Sequence, residues 1–167
     1  MKKHYLIVFA LLFMILIIGC SEPKKVKTDQ LDEFKTSMVE KHKQINNLKI
    51  QFVPTNVRFI YEMKKGTEEA NREEIFAETR DIVQSAQFQD EVIKSLYIKM
   101  YPGEENYPPP SITINFEIKQ GNKKETEYHK YTSYYNAANN EATPEEKETG
   151  YQRWMYTDSK GEEVEIP

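Results

Sequence analysis

The chain has 167 residues, with 23 basic and 27 acidic side chains, three histidines and a single cysteine. The formal charge of −4 argues against nucleic acid, which calls for a concentrated basic face, and so few His and Cys side chains argue against zinc or copper. The length suits one domain behind a targeting segment.

Residues 1–19 place Lys2 and Lys3 ahead of an apolar run from Tyr5 to Ile18 that contains no acid. This is the charge order of an export signal. The run is shorter than the ~20 apolar residues a spanning helix needs, and polar Ser21-Glu22-Pro23-Lys24-Lys25 follows at once. Within it, Leu16-Ile17-Ile18-Gly19-Cys20 resembles the lipobox of bacterial lipoproteins. The resemblance implies removal of residues 1–19 and a diacylglycerol on the Cys20 thiol, which would hold the chain on the extracytoplasmic face of a cell membrane. Two acyl chains anchor stably where one does not, at about 0.8 kcal/mol per buried methylene. Cys20 is the sole cysteine, so once it is lipidated no intramolecular disulfide can form. Losing 19 residues, two of them lysines and none acidic, leaves 148 residues at a formal charge of −6.

Residues 20–28 are expected to be a lipidated N-terminus and flexible tether, because Ser21 to Thr28 is too polar to pack; eight such residues reach about 25–30 Å. Lys24, Lys25 and Lys27 would then lie near headgroups. Residues 29–167 are read as a single α+β domain. Thr28 or Asp29 can cap a helix with Asp32 and Glu33 in its first turn and Leu31, Phe34, Met38 and Ile45 at helical spacing. This places His42 on the polar side. Leu48, Ile50 and Phe52, then Val57, Phe59, Tyr61 and Met63, alternate as two strands or one broken strand, with Pro54 in a bend or at an edge. Thr67 is the expected cap of a second helix whose inner face is Ile75, Phe76, Thr79, Ile82, Val83 and Ala86. Arg72, Glu73, Glu74, Glu78, Arg80 and Asp81 form its solvated side.

Beyond Phe88 the period becomes two: Leu96, Ile98 and Met100, then Ile112, Ile114, Phe116 and Ile118, predict an antiparallel meander. Tyr107-Pro108-Pro109-Pro110 reads as a stiff loop and Gly121-Asn122 as a hairpin turn. The strand from about Lys124 to Tyr135 has no aliphatic face and is expected to be less buried than its neighbours. Residues 136–149 form a polar excursion, Tyr151 to Thr157 returns as a strand, and Ser159-Lys160-Gly161 turns into a short terminal piece.

No Gly-x-Ser-x-Gly elbow, unmodified cysteine, phosphate-binding glycine loop or calcium-loop pattern is present, so no catalytic residue, metal site or cofactor is expected apart from the lipid on Cys20. Converging carboxylates would leave no linear signature. His129 is read as a surface or hydrogen-bonded histidine. The chain's 11 tyrosines concentrate between Tyr97 and Tyr156, and Tyr131, Tyr135 and Trp154 are the candidate interaction surface, since aromatic residues anchor interfaces and also cover half-buried sheets.

These elements predict an α+β fold with two main helices on one face of a mainly antiparallel sheet of about five to six strands. The element order resembles cystatin-like and NTF2-like folds, a resemblance of order alone. The expected function is a non-enzymatic binding or accessory lipoprotein for an envelope protein or peptide. A small-molecule binder and an envelope immunity or exclusion lipoprotein are the alternatives.

Overall fold

The computed structural model describes residues 23–100, 109–120, 126–135 and 150–166. It contains a seven-stranded sheet in the spatial order β1 to β7: β1 (Lys24–Lys25), β2 (Ile45–Val53), β3 (Asn56–Met63), β4 (Ser111–Lys119), β5 (Thr126–Ser133), β6 (Trp154–Thr157) and β7 (Glu163–Ile166). All neighbours are antiparallel except β3 and β4. Parallel strands need a long crossover, and helices supply it. Helix α1 (Asp29–Lys41) precedes β2, and α2 (Glu69–Gln84) and α3 lie between β3 and β4. The segment α3 runs from 86 to 100, with Gln89–Tyr97 wound as a π-helix whose exit is marked by the Ile98 amide donating to the Ile93 carbonyl.

The fold is therefore α+β, with the helices on one face of a mostly antiparallel sheet. Leu48, Ile50 and Phe52 of β2, Val57, Phe59, Tyr61 and Met63 of β3, and Ile112, Ile114, Phe116 and Ile118 of β4 are buried on that face. Ring contacts tie each helix to it: Phe34 of α1 meets Phe59 edge-on at 6.4 Å, Phe76 of α2 stacks on Tyr131 at 4.1 Å, and Tyr97 of α3 meets Phe52 at 5.8 Å. A β-bulge between Ile45 and Asn47 shifts the alternation, so Ile45 and Leu48, three apart, both point inward.

Several expectations are corrected. Leu96, Ile98 and Met100 are helical. Val92 and Ile93 lead into Leu96, Tyr97 and Met100 at helical spacing, and this stripe packs on the core while Ile98 is exposed. The tether is shorter than expected, because Lys24 and Lys25 pair with Phe52 and Gln51, the Val26 amide donates to the Ile50 carbonyl, and Val26 is buried. Backbone pairing needs no apolar side chain, so lysines can form this strand. Of the two candidate caps, Thr28 caps α1 by accepting from the Leu31 amide. Thr67 does not cap α2; its hydroxyl donates to the Lys64 carbonyl. Ala86 is exposed because α2 stops at Gln84. Strand β5 is well buried on its inner face, since it lies inside the sheet between β4 and β6.

Pro54 and Thr55 join β2 to β3, with Pro54 in the bend and Thr55 at φ 65°. Proline followed by a residue of positive φ is the pattern of a type II turn. The Gly121-Asn122 turn, Tyr107-Pro108 and the 136–149 excursion lie outside the described residues.

Candidate functional site

The structure puts the proposed aromatic surface largely inside the protein. Trp154 is 1% exposed and Tyr131 5%, while Tyr135 is half-buried against Tyr151. The indole N–H of Trp154 donates to the Tyr151 carbonyl at 3.0 Å, and Phe76 packs edge-on to the Trp154 ring at 5.2 Å. Trp154 is thus a core residue. Cys20 lies outside the described residues.

Tyr131 nevertheless reaches an opening. Together with Phe76, Tyr156, Val164 and Ile166 it lines a groove of about 230 Å³, with Glu69 and Glu73 on the rim. The groove lies where the first turns of α2 cross the β5–β7 end of the sheet. Tyr131 stands between two rings, Phe76 at 4.1 Å and Tyr156 at 4.9 Å between centroids. Val164, on the edge strand, is 60% exposed. Burial raises both phenols above the ordinary tyrosine range, so both stay neutral near pH 7. Glu69 and Glu73, one turn apart on α2, are exposed and make no ion pair among the described residues.

Beneath the groove runs a polar chain. His129 hydrogen-bonds the Tyr156 hydroxyl through Nδ1 at 2.6 Å and the Glu127 carboxylate through Nε2 at 2.7 Å, and Gln120 donates to the other Glu127 oxygen at 2.7 Å. The hydrogen bond from His129 is the main reason the Glu127 carboxyl lies below its usual range. His129 is therefore a buried, hydrogen-bonded histidine. Arg72, read from the sequence as solvated, is only 7% exposed; it donates to the Thr67 carbonyl. No carboxylate lies within ion-pair distance of it among the described residues.

The chemistry this permits is recognition of a cation. Aromatic faces carry negative potential, and a Lys or Arg group over them gains about 0.5–2 kcal/mol, with the two rim carboxylates adding attraction. Arg72 opposes a cation, but it is buried and its charge acts also on Glu127, whose carboxyl it helps to lower. Glu69 and Glu73 are exposed. Apart from Tyr131, sequence reading missed this groove. Glu69 and Tyr156 are 87 positions apart, and no linear pattern joins a helix start to a C-terminal hairpin.

A second cluster joins α1 to α2. His42 is 3% exposed, not solvated, because α1 ends at Lys41 and the extended backbone of His42 turns its ring inward. Its Nε2 lies 2.7 Å from Glu78, and the Lys41 ammonium lies 3.0 Å from Glu78 and 3.5 Å from Glu74. The ligand atoms of His42, Glu74 and Glu78 fall within 4.8 Å of one another. The Lys41 ammonium bridges both carboxylates and His42 bonds Glu78, so the cluster reads as a clamp between the end of α1 and α2.

Comparison with protein-family models, curated proteins and solved structures found no match. Among the described residues no helix is long and apolar enough to cross a membrane.

Proposed function

We propose that the chain is a bacterial lipoprotein anchored through diacylglycerol on Cys20, and that its domain binds an envelope protein or peptide without catalysis. A basic side chain of the partner enters the groove between α2 and β5–β7. The observation that carries this reading is the groove itself: Phe76, Tyr131 and Tyr156 side by side under two carboxylates that make no ion pair among the described residues. Its volume of about 230 Å³ is below the ~300–1,000 Å³ typical of small-molecule pockets and suits a single side chain. The short β7 edge beside it leaves backbone donors and acceptors available to an extended segment.

The test is a photo-crosslinking amino acid at Val164 in the cell that makes the protein, with intact-mass analysis of the membrane-extracted chain. The expected result is a mature mass beginning at lipidated Cys20 and one reproducible adduct, lost in the Glu69→Gln/Glu73→Gln double variant. An adduct indifferent to that variant would refute the cation groove. An unlipidated soluble product would refute the anchor.

A further inference from the structure

The opposite end of the sheet carries the opposite charge. Lys25, Lys27, Lys35 and Lys49 line a cleft of about 570 Å³ at the β1–α1 edge, with Asp32 as the one acid in its lining. The chain as a whole has an excess of acids, so this concentration runs against its composition. Lys49 pairs with Glu62, whereas Lys25, Lys27 and Lys35 are exposed and make no ion pair among the described residues. We infer that this cleft docks on anionic phospholipid headgroups of the bilayer that holds the anchor, and so fixes the orientation of the domain. The inference rests on lipidation of Cys20.

Chain length supplies the second argument. Lys24 already belongs to the sheet, so three residues, Ser21 to Pro23, separate it from Cys20. Four steps of extended chain reach at most about 14 Å, which keeps the β1 edge within or beside the headgroup layer. Each lysine held there strengthens binding to an anionic surface roughly fivefold, an attraction that salt screens. Six strand spacings of ~4.8 Å put β7 about 29 Å from β1, so an edge-on domain holds Glu163, Glu165 and the aromatic groove away from the membrane. The basic end meets the bilayer, and the acidic end faces outward.

The test uses the full mature lipoprotein in vesicles. Once Cys20 is lipidated its sulfur is blocked, so Gln51→Cys, a neutral position lining the cleft, introduces the only free thiol. Maleimide labelling of Gln51→Cys is expected to be several-fold slower in phosphatidylglycerol-containing vesicles than in pure phosphatidylcholine. The rate should recover in 1 M salt (Debye length about 3 Å) and in a Lys25→Glu/Lys27→Glu/Lys35→Glu background. Glu163→Cys should label equally in both vesicles. Equal rates for Gln51→Cys in the two lipids, with the protein still floating on phosphatidylcholine vesicles, would overturn the docking while leaving the anchor intact. Failure to float on phosphatidylcholine, with no lipid in the mass, would remove the anchor itself.

Discussion

Gly150 and Tyr151 both have φ of 52°, and the two positions need that conformation for different reasons. Tyr151 is fully buried; its hydroxyl donates to the Pro110 carbonyl at 2.6 Å, and its own carbonyl accepts from Gln84 and from Trp154. One residue thus ties α2, the start of β4 and the core tryptophan together. Gly150 sets the path into it. A Cβ at Gly150 would lie 2.4 and 2.5 Å from two carbons of the Tyr135 ring, which is itself packed on Tyr151. Gly150→Ala should therefore lose about 2 kcal/mol, seen as a fall of roughly 4–8 °C in Tm. Gly66 is the control: its φ is 75°, but nothing lies within 4 Å of its would-be Cβ. Gly66→Ala carries only backbone strain of about 1 kcal/mol and should cost less. Equal losses in the two variants would show that the Tyr135 ring yields freely.

Between elements, the chain Gln120–Glu127–His129–Tyr156 stitches β4, β5 and β6 together beneath the groove. The Glu127 carboxyl is lowered from its ordinary value near 4.5, first by its hydrogen bond with His129. A carboxyl lowered by folding contributes stability that is present above the unfolded value and lost as pH falls through the folded one. Glu127→Gln should thus make Tm less steep in pH below about 4.5, measured by thermal unfolding across the acid range. An unchanged acid limb would mean that His129 does not hold the carboxylate in solution. The sequence made some of these elements plain and hid others. Val57 to Met63 and Ile112 to Ile118 alternate, because one sheet face is buried and the other wet, and period two then has a single reading. Leu96 to Met100 fits both periods, and the partners that decide it, Val92 and Ile93, lie upstream. Lys24 and Lys25 carry no strand signal, since their pairing is made by backbone alone. Tyr131 was legible as a candidate from its side-chain type. Its burial, and its meeting with Glu69 and Tyr156, depend on the order of strands and the crossing of α2, which no local pattern encodes.

Across the molecule, under the proposed anchor on Cys20, β1 would decide how far the domain stands from the bilayer, yet the strand is held by very little. It consists of two residues paired with β2 and is secured by Val26, whose side chain is buried and whose amide donates to Ile50 at 3.2 Å. Burial of one valine is worth about 1.5–3 kcal/mol, which is comparable to the entropy of ordering two residues at about 1–2 kcal/mol each. Val26→Ser should therefore release β1 without unfolding the sheet, whose central strands β3 and β4 bury residues such as Val57, Phe59, Ile112 and Ile114 completely. Amide exchange should accelerate at residues 24–27 and stay slow in β3 and β4, with Tm falling by only a few degrees. Release would extend the free linker from three residues to seven, Ser21 to Lys27, a reach of about 25–30 Å, enough to lift the cleft clear of the headgroups. In phosphatidylglycerol vesicles the Gln51→Cys thiol should then label as fast as it does in phosphatidylcholine, although no lysine is substituted. Loss of protection with the lysines unsubstituted would show that orientation depends on the folded β1, which shortens the tether and holds Lys25 and Lys27 in the cleft, whereas retained protection would show that folded β1 is not required.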